Sequence, residues 1–296
     1  MEERYPDLDD VVLGALNLFT QKKLPRLTPG RFRRPLVVGS GNAAVTGKIL
    51  FRDQDAVFAD ESTYLDRLKA AKGIDGAILI SASGGKHAPI IAKELRKRKI
   101  MTVLITNNRH AEAKPLVDRC LVYPKQTEPY TYNTSTYMGM MLSSSKEDPG
   151  KILRHIKKNI DPKIPKNLSK YNAFFIIVPD EFDAIREMFL TKFSELFGPM
   201  VNGRVFTPEQ TKHAKTVIPS GKELFISIGY DNKNFGTNRL DLPLPKGAGH
   251  ATVMAVGYYV IGKIQKQHTP YFKHYIEKYC RATSKVFGST IKPIVD

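Results

Sequence analysis

Two hydroxyls, two glycines and an ammonium crowd into Ser81-Ala82-Ser83-Gly84-Gly85-Lys86, directly after the apolar run Ala77-Ile78-Leu79-Ile80. Behind them, 87–99 sets an apolar side (Ala88, Ile90, Ile91, Ala92, Leu95) against a charged one (Lys93, Glu94, Arg96, Lys97), the pattern of an amphipathic helix. A loop of this composition, between a strand and a helix start, gathers hydroxyls, unpaired backbone N–H groups and the positive end of a helix dipole. The chemistry open to it is holding an anion. The same residues also suit an ordinary glycine turn with serine caps, so composition alone leaves both readings open. A second turn, Gly39-Ser40-Gly41-Asn42, follows the apolar run Leu36-Val37-Val38. It lacks the third glycine of a dinucleotide fingerprint, and only Asp60 stands where an acidic ribose partner would be sought.

The elements that must position these loops alternate along the chain. Residues 8–22 carry Val11, Val12, Ala15, Leu18 and Phe19 at helical spacing behind Asp9 and Asp10, and Pro25, Pro29 and Gly30 end the helix. We expect it to pack on the first domain or on a partner subunit. Strands are expected at 35–38, 56–59, 77–80, 101–106 and 120–123, with helices at 43–51, 62–72 and 87–99 between them. Such alternation implies a parallel sheet covered by helices. The run EPYTYNTSTYMGMM, 128–141, reads as a capped helix with a Met- and Tyr-rich core face. Residues 143–170 are polar, basic and punctuated by Pro149, Pro162 and Pro165, suggesting a helix at 151–159 and then a linker. The second half offers strands at 173–178 and 223–228 and helices at 181–197, 251–265 and 271–282. The expected division is an N-terminal helical segment 1–30, a first domain 31–160 and a second domain 161–296.

Composition bounds the function. The chain of 296 residues is 42% hydrophobic and 25% charged, ordinary for a globular protein. Its two cysteines, Cys120 and Cys280, read as free thiols, Cys120 buried in an apolar run. No apolar run approaches a membrane span, and the polar, acidic start MEERYPDLDD is unlike a signal sequence, so a reducing cytoplasm is expected. The net charge of +17 favours anionic partners. It is spread along the chain without an aromatic-interleaved basic motif or a helix-turn-helix pattern, which argues against nucleic acid and for a small anionic ligand.

The string ISASGGKHAPIIAKELRKRKIMTVLIT resembles the signature of the sugar isomerase (SIS) family, in which a strand, Ser-x-Ser-Gly and a helix hold the phosphate of a sugar phosphate. The resemblance implies two tandem SIS-type parallel (flavodoxin-like) sheets covered by helices, the second without a phosphate loop. It implies that Ser81, Ser83 and Gly84 bind the phosphate, with Lys86 where many members carry Thr. It places Gly39, Ser40 and Gly41 against the sugar, Gly41 standing where relatives often have Ser. Glu128 then matches the acidic residue ahead of the pair Ser135-Thr136, and Ser135 adds a hydroxyl near the phosphate.

Moving a carbonyl between C1 and C2 of a sugar phosphate needs ring opening, a proton shuttle and positive charge on the enediolate. Residue types alone do not choose among 29 acidic residues and 7 histidines. The segment LTKFSE is similar to the helix of phosphoglucose/phosphomannose isomerases and of the isomerase half of glucosamine-fructose-6-phosphate synthase that carries the shuttling glutamate. On that match Glu195 is the shuttle, and Lys192 lies one turn before it on the same face. His213, in FTPEQTKHAKTV, matches the ring-opening histidine donated across a dimer interface. Thr269 and Lys278 match a closing Thr-Pro and helix lysine, with Lys273 a rival. The implied protein is a homodimeric aldose–ketose isomerase of a hexose phosphate, needing no metal or cofactor. The alternative is a non-catalytic sugar-phosphate-binding regulator on the same fold.

Overall fold

The computed structural model describes residues 5–27, 32–288 and 290–295. Pro29 and Gly30 lie outside these. In chain order the elements are α1 Leu8–Gln21, β1 Pro35–Gly39, α2 Asn42–Leu50, β2 Val57–Ala59, α3 Tyr64–Ala70, β3 Gly76–Ile80, α4 His87–Lys97, β4 Thr102–Thr106 and β5 Arg119–Val122. Then come β6 Glu128–Pro129, α5 Thr134–Ser144, α6 Pro149–His155, β7 Ala173–Ile177, α7 Arg186–Phe197, β8 Asn202–Phe206 and α8 Pro208–Lys212. The chain closes with β9 Glu223–Ile228, β10 Arg239–Leu242, α9 His250–Gln267, α10 Tyr271–Phe287 and β11 Ile294–Val295.

Two compact units result. Gln21–Lys125 and Ser135–Lys146 form one; Met1–Thr20, Gln126–Thr134 and Glu147–Asp296 form the other. Residues 147–160 therefore share the unit of the second sheet.

The first unit holds a five-stranded sheet in the order β2-β1-β3-β4-β5, every pairing parallel. This is the flavodoxin-like order, whose switch point lies between β1 and β3. Side chains alternate across it. Leu36, Val38, Ala77, Leu79 and Leu104 meet Ala88, Ile91, Ala92 and Leu95 of α4 in one core cluster. Val37 and Ile80 face α2, which comes close because Gly47 carries no side chain. Both strands of the switch point are fully buried, and Gly39 pairs in register with Ile80. The turns after β1 and β3 therefore leave the sheet side by side. Cys120, expected buried, is only partly so, because β5 is an edge strand.

The second unit holds a four-stranded parallel sheet, β10-β9-β7-β8. Read from β8, this is the order 2-1-3-4 of the first sheet without its fifth strand. Phe174 of β7 stacks on Phe193 of α7, with ring centroids 6.2 Å apart. Helix α7 starts at Arg186, later than 181, because Phe182 departs from helical geometry within a tighter preceding turn. Strands β8 and β10 escape a sequence reading. Gly203 of β8 lies beneath the Phe193 ring, where a Cβ would come within 2.1 Å, and β10 is a short edge strand alternating Arg239 and Asp241 with leucines. Helix α1 belongs to this unit, not to the first domain. The Leu8 N–H donates to Gln265 Oε1 at 2.9 Å, Lys266 Nζ reaches Asp9 at 2.8 Å, and Gly262 lets the α1 backbone approach α9.

Candidate functional site

The turn after β3 is built by its own hydroxyls. Ser81 Oγ accepts the Gly84 N–H at 3.1 Å and Ser83 Oγ accepts the Gly85 N–H at 3.3 Å. Each hydroxyl keeps its proton to donate elsewhere. The end of β4 clamps the turn from beside it: Thr106 Oγ1 donates to Ala82 O at 2.9 Å and Asn108 Nδ2 to Ser83 O at 3.0 Å. Gly84 takes φ +63° with Ala111 so close that a Cβ would stand 2.3 Å from its methyl, so only glycine fits there.

Two backbone conformations in this unit are near copies. Gly41, ahead of α2, has φ 52° and ψ −124°; Lys86, ahead of α4, has φ 54° and ψ −110°. Glycine adopts this shape freely, whereas a residue with a side chain pays roughly 1–3 kcal/mol. Lys86 thus stands, exposed and strained, at the N-terminus of α4, where its ammonium and the helix dipole both favour an anion. Desolvation holds that ammonium below the usual lysine range. Of the expected binding residues, Gly39, Ser40, Gly41, Ser81, Ser83, Gly84 and Lys86 are gathered by the adjoining ends of β1 and β3. Ser135 is buried near the start of α5.

The second unit holds a different chemistry. Lys192, on α7, is fully buried, and its Nζ donates to Glu195 Oε2 at 2.5 Å and to the Thr131 carbonyl at 2.7 Å. The Tyr258 ring of α9 lies 5.5 Å from the same nitrogen. Burial pushes the Glu195 carboxyl above the ordinary glutamate range, and the ammonium pulls it back down. About a quarter of the Glu195 side chain still reaches solvent (24%). A carboxylate so placed is a base kept close to an acid.

Glu128, buried, is a cap: its Oε2 accepts the Thr134 N–H at 2.9 Å at the start of α5. His213 ends α8, exposed, its N–H on Gln210 O at 3.1 Å. Lys278 is exposed on α10, and Lys273 is taken by Asp7 at 3.0 Å. Neither His213 nor Lys278 is among the partners of the Lys192–Glu195 pair. Among the described residues no group of three or more His, Cys, Asp or Glu could hold a metal ion, and no helix is long and apolar enough to cross a membrane.

A sequence reading misses three participants. Thr106 and Asn108 follow an apolar strand as polar residues at its carboxyl end, a usable signal. Thr131 carries none, because its part is played by a main-chain carbonyl.

No family model and no curated protein matches the chain. Solved structures do. Glucosamine-6-phosphate deaminase from Thermotoga maritima matches with TM-score 0.62 at 14% identity, over 89% of this chain and 93% of that one. The C-terminal domain of glucosamine-fructose-6-phosphate aminotransferase from Francisella tularensis matches with TM-score 0.61 at 10% identity, over 93% and 98%. The fold is that of the sugar isomerase (SIS) proteins. Tagatose-6-phosphate ketose/aldose isomerase from Escherichia coli shares the SIS fold too, with TM-score 0.59 and 12% identity over 89% of each chain. At such identities the likeness speaks for the fold alone. It agrees with the two parallel sheets, and with the family suggested by the Ser81–Gly84 loop.

Proposed function

We propose that the chain is an aldose–ketose isomerase of a hexose phosphate. The observation that carries this reading is the buried Lys192–Glu195 pair, a carboxylate with raised basicity held against a fixed positive charge. The turn after β3 supplies the anion site, with Ser81 and Ser83 hydroxyls donating to the phosphate and Lys86 adding charge. Glu195 takes the proton from C2 of the open-chain aldose, the electrons pass to the C1 oxygen as the enediolate forms, and Lys192 steadies that charge. The protonated Glu195, open to exchange with solvent, then gives a proton to C1, while the C2 hydroxyl proton passes to the C1 oxygen, leaving the ketose. Ring opening is assigned to His213 of a second copy, which makes the working form a homodimer; Lys278 is the remaining catalytic assignment. Support for a phosphorylated sugar comes from the names of the structures that share the fold, which act on 6-phosphates.

The test is a panel of glucose-6-phosphate, mannose-6-phosphate and their unphosphorylated sugars, read by thermal shift and by ketose formation. Stabilisation by a phosphorylated sugar together with ketose formation is expected. Stabilisation without turnover would favour the non-catalytic regulator, and neither would remove the sugar-phosphate reading.

A further inference from the structure

Lys192 has no solvent to turn to, so its Nζ must find its acceptors within the protein. One of them comes from an unusual backbone. Thr131 has φ +79°, a value that a β-branched residue rarely takes. Its neighbours account for it. On one side the Tyr130 N–H donates to Pro293 O at 2.7 Å. On the other, the Tyr132 N–H donates to Pro129 O at 3.1 Å, its hydroxyl donates to Pro6 O at 3.2 Å and accepts from Gln265 Nε2 at 2.9 Å, and its ring lies 5.1 Å from that of Phe272. Two residues on, Glu128 pins the Thr134 N–H. With both flanks fixed, the peptide between them is turned over, and its carbonyl meets Lys192 Nζ at 2.7 Å.

We propose that Thr131 is a positioning residue whose inverted carbonyl holds Lys192 aimed at Glu195. Without this carbonyl the buried Lys192 Nζ is no longer held on Glu195, and the carboxyl loses the partner that favours its ionised form. The inverted peptide thereby tunes how basic Glu195 is through Lys192, beside the direct effect of the Thr131 hydroxyl, which also lowers the carboxyl. This rests on Glu195 as the proton shuttle, but its test reads the carboxyl itself. The groups that face Glu195 are Lys192 on its own helix, the Thr131 hydroxyl, Tyr130 and Tyr132 on the loop, and, beyond them, Tyr258 on α9 and Tyr279 and Cys280 on α10.

The experiment is a pH titration of the Glu195 carboxyl carbon by 13C NMR in the full chain, assigned by its loss in Glu195→Gln. Thr131→Val keeps the backbone demand and drops the hydroxyl that lowers the Glu195 carboxyl, so its midpoint should rise slightly, and that rise is the hydroxyl's own share. Thr131→Gly holds the inverted peptide without strain and also lacks the hydroxyl, so it should titrate as Thr131→Val while melting at a higher temperature. Thr131→Pro cannot reach a positive φ, so its carbonyl leaves Lys192 and the midpoint should move up by about one pH unit beyond Thr131→Val. If the proline variant does not fold, Tyr132→Phe releases one pin and should shift the midpoint the same way by less. A folded Thr131→Pro that titrates with Thr131→Val, or failing that a Tyr132→Phe that titrates with the wild type, overturns the proposal whether or not the chain proves to be an isomerase.

Discussion

The connection after β3 and the connection after β9 leave equivalent strands of two sheets with the same order, and they end in opposite states. After β3 the turn folds around serine hydroxyls that retain their protons, and a helix starts directly behind it. After β9 the loop 229–238 is stitched shut from within. Asn232 Oδ1 accepts the Phe235 N–H at 2.9 Å, and the Arg239 guanidinium donates to Lys233 O at 2.6 Å and to Gly236 O at 2.7 Å. One loop keeps hydroxyl protons free to donate, while the other spends its polar groups on itself. Strand order therefore does not make an anion site; the loop chemistry does. The second sheet's unit contributes instead the Lys192–Glu195 pair on α7.

That contrast can be broken most forcefully at Glu195. Glu195→Gln keeps size and hydrogen bonding but removes basicity, so turnover should fall by about 10²–10⁴-fold with sugar-phosphate affinity retained. Affinity lost together with turnover would give Glu195 a part in binding as well as in proton transfer. A smaller effect belongs to the turn after β3. Ser83→Ala should weaken sugar-phosphate binding by about 1–2 kcal/mol in calorimetry, since one charged hydrogen bond is gone, while the unphosphorylated sugar is unaffected. Equal losses for both sugars would place the serine elsewhere in recognition.

Lys86 sharpens the comparison within the first unit. Lys86→Gly copies the Gly41 turn, so it should add about 1 kcal/mol of stability in denaturant unfolding, strain relief being partly offset by glycine entropy. The same change should lower phosphate affinity and flatten its salt dependence. A variant that gains stability and binds as before would mean that the charge faces solvent, not ligand. The smallest expected effect on binding is none. Arg239→Ala opens the carbonyls of the loop 229–238, and should lower the melting temperature without moving sugar-phosphate affinity. Any change in that affinity would give the second loop a part in recognition.

Much of this was legible beforehand for identifiable reasons. The Ser81–Lys86 turn is visible in the sequence because hydroxyls, glycines and an ammonium are side-chain features that residue type records. The parallel sheet shows in the apolar runs of β1, β3, β4, β7 and β9, buried on both faces. Where the controlling group is main chain or geometry, the reading fails. Glycine at 203 marks not a break but a ring lying over a strand, the strain at Lys86 leaves no mark on residue type, and the Thr131 carbonyl belongs to every residue equally. Helix α1, expected on the first domain or on a partner subunit, meets α9 of the second unit, because its amphipathic face does not say which neighbour it meets.

Glu195 is proposed to move a proton on a sugar phosphate. This is tested most directly by incubating the unaltered protein with glucose-6-phosphate or mannose-6-phosphate in deuterated solvent and following the C2 hydrogen by NMR across pH. Burial raises the Glu195 carboxyl, so below that raised pKa the group is protonated and cannot accept the C2 proton. Exchange should therefore rise with pH, with its midpoint above the ordinary glutamate value, alongside ketose formation. A protein that binds the sugar phosphate yet leaves C2–H unexchanged at every pH would contradict the account.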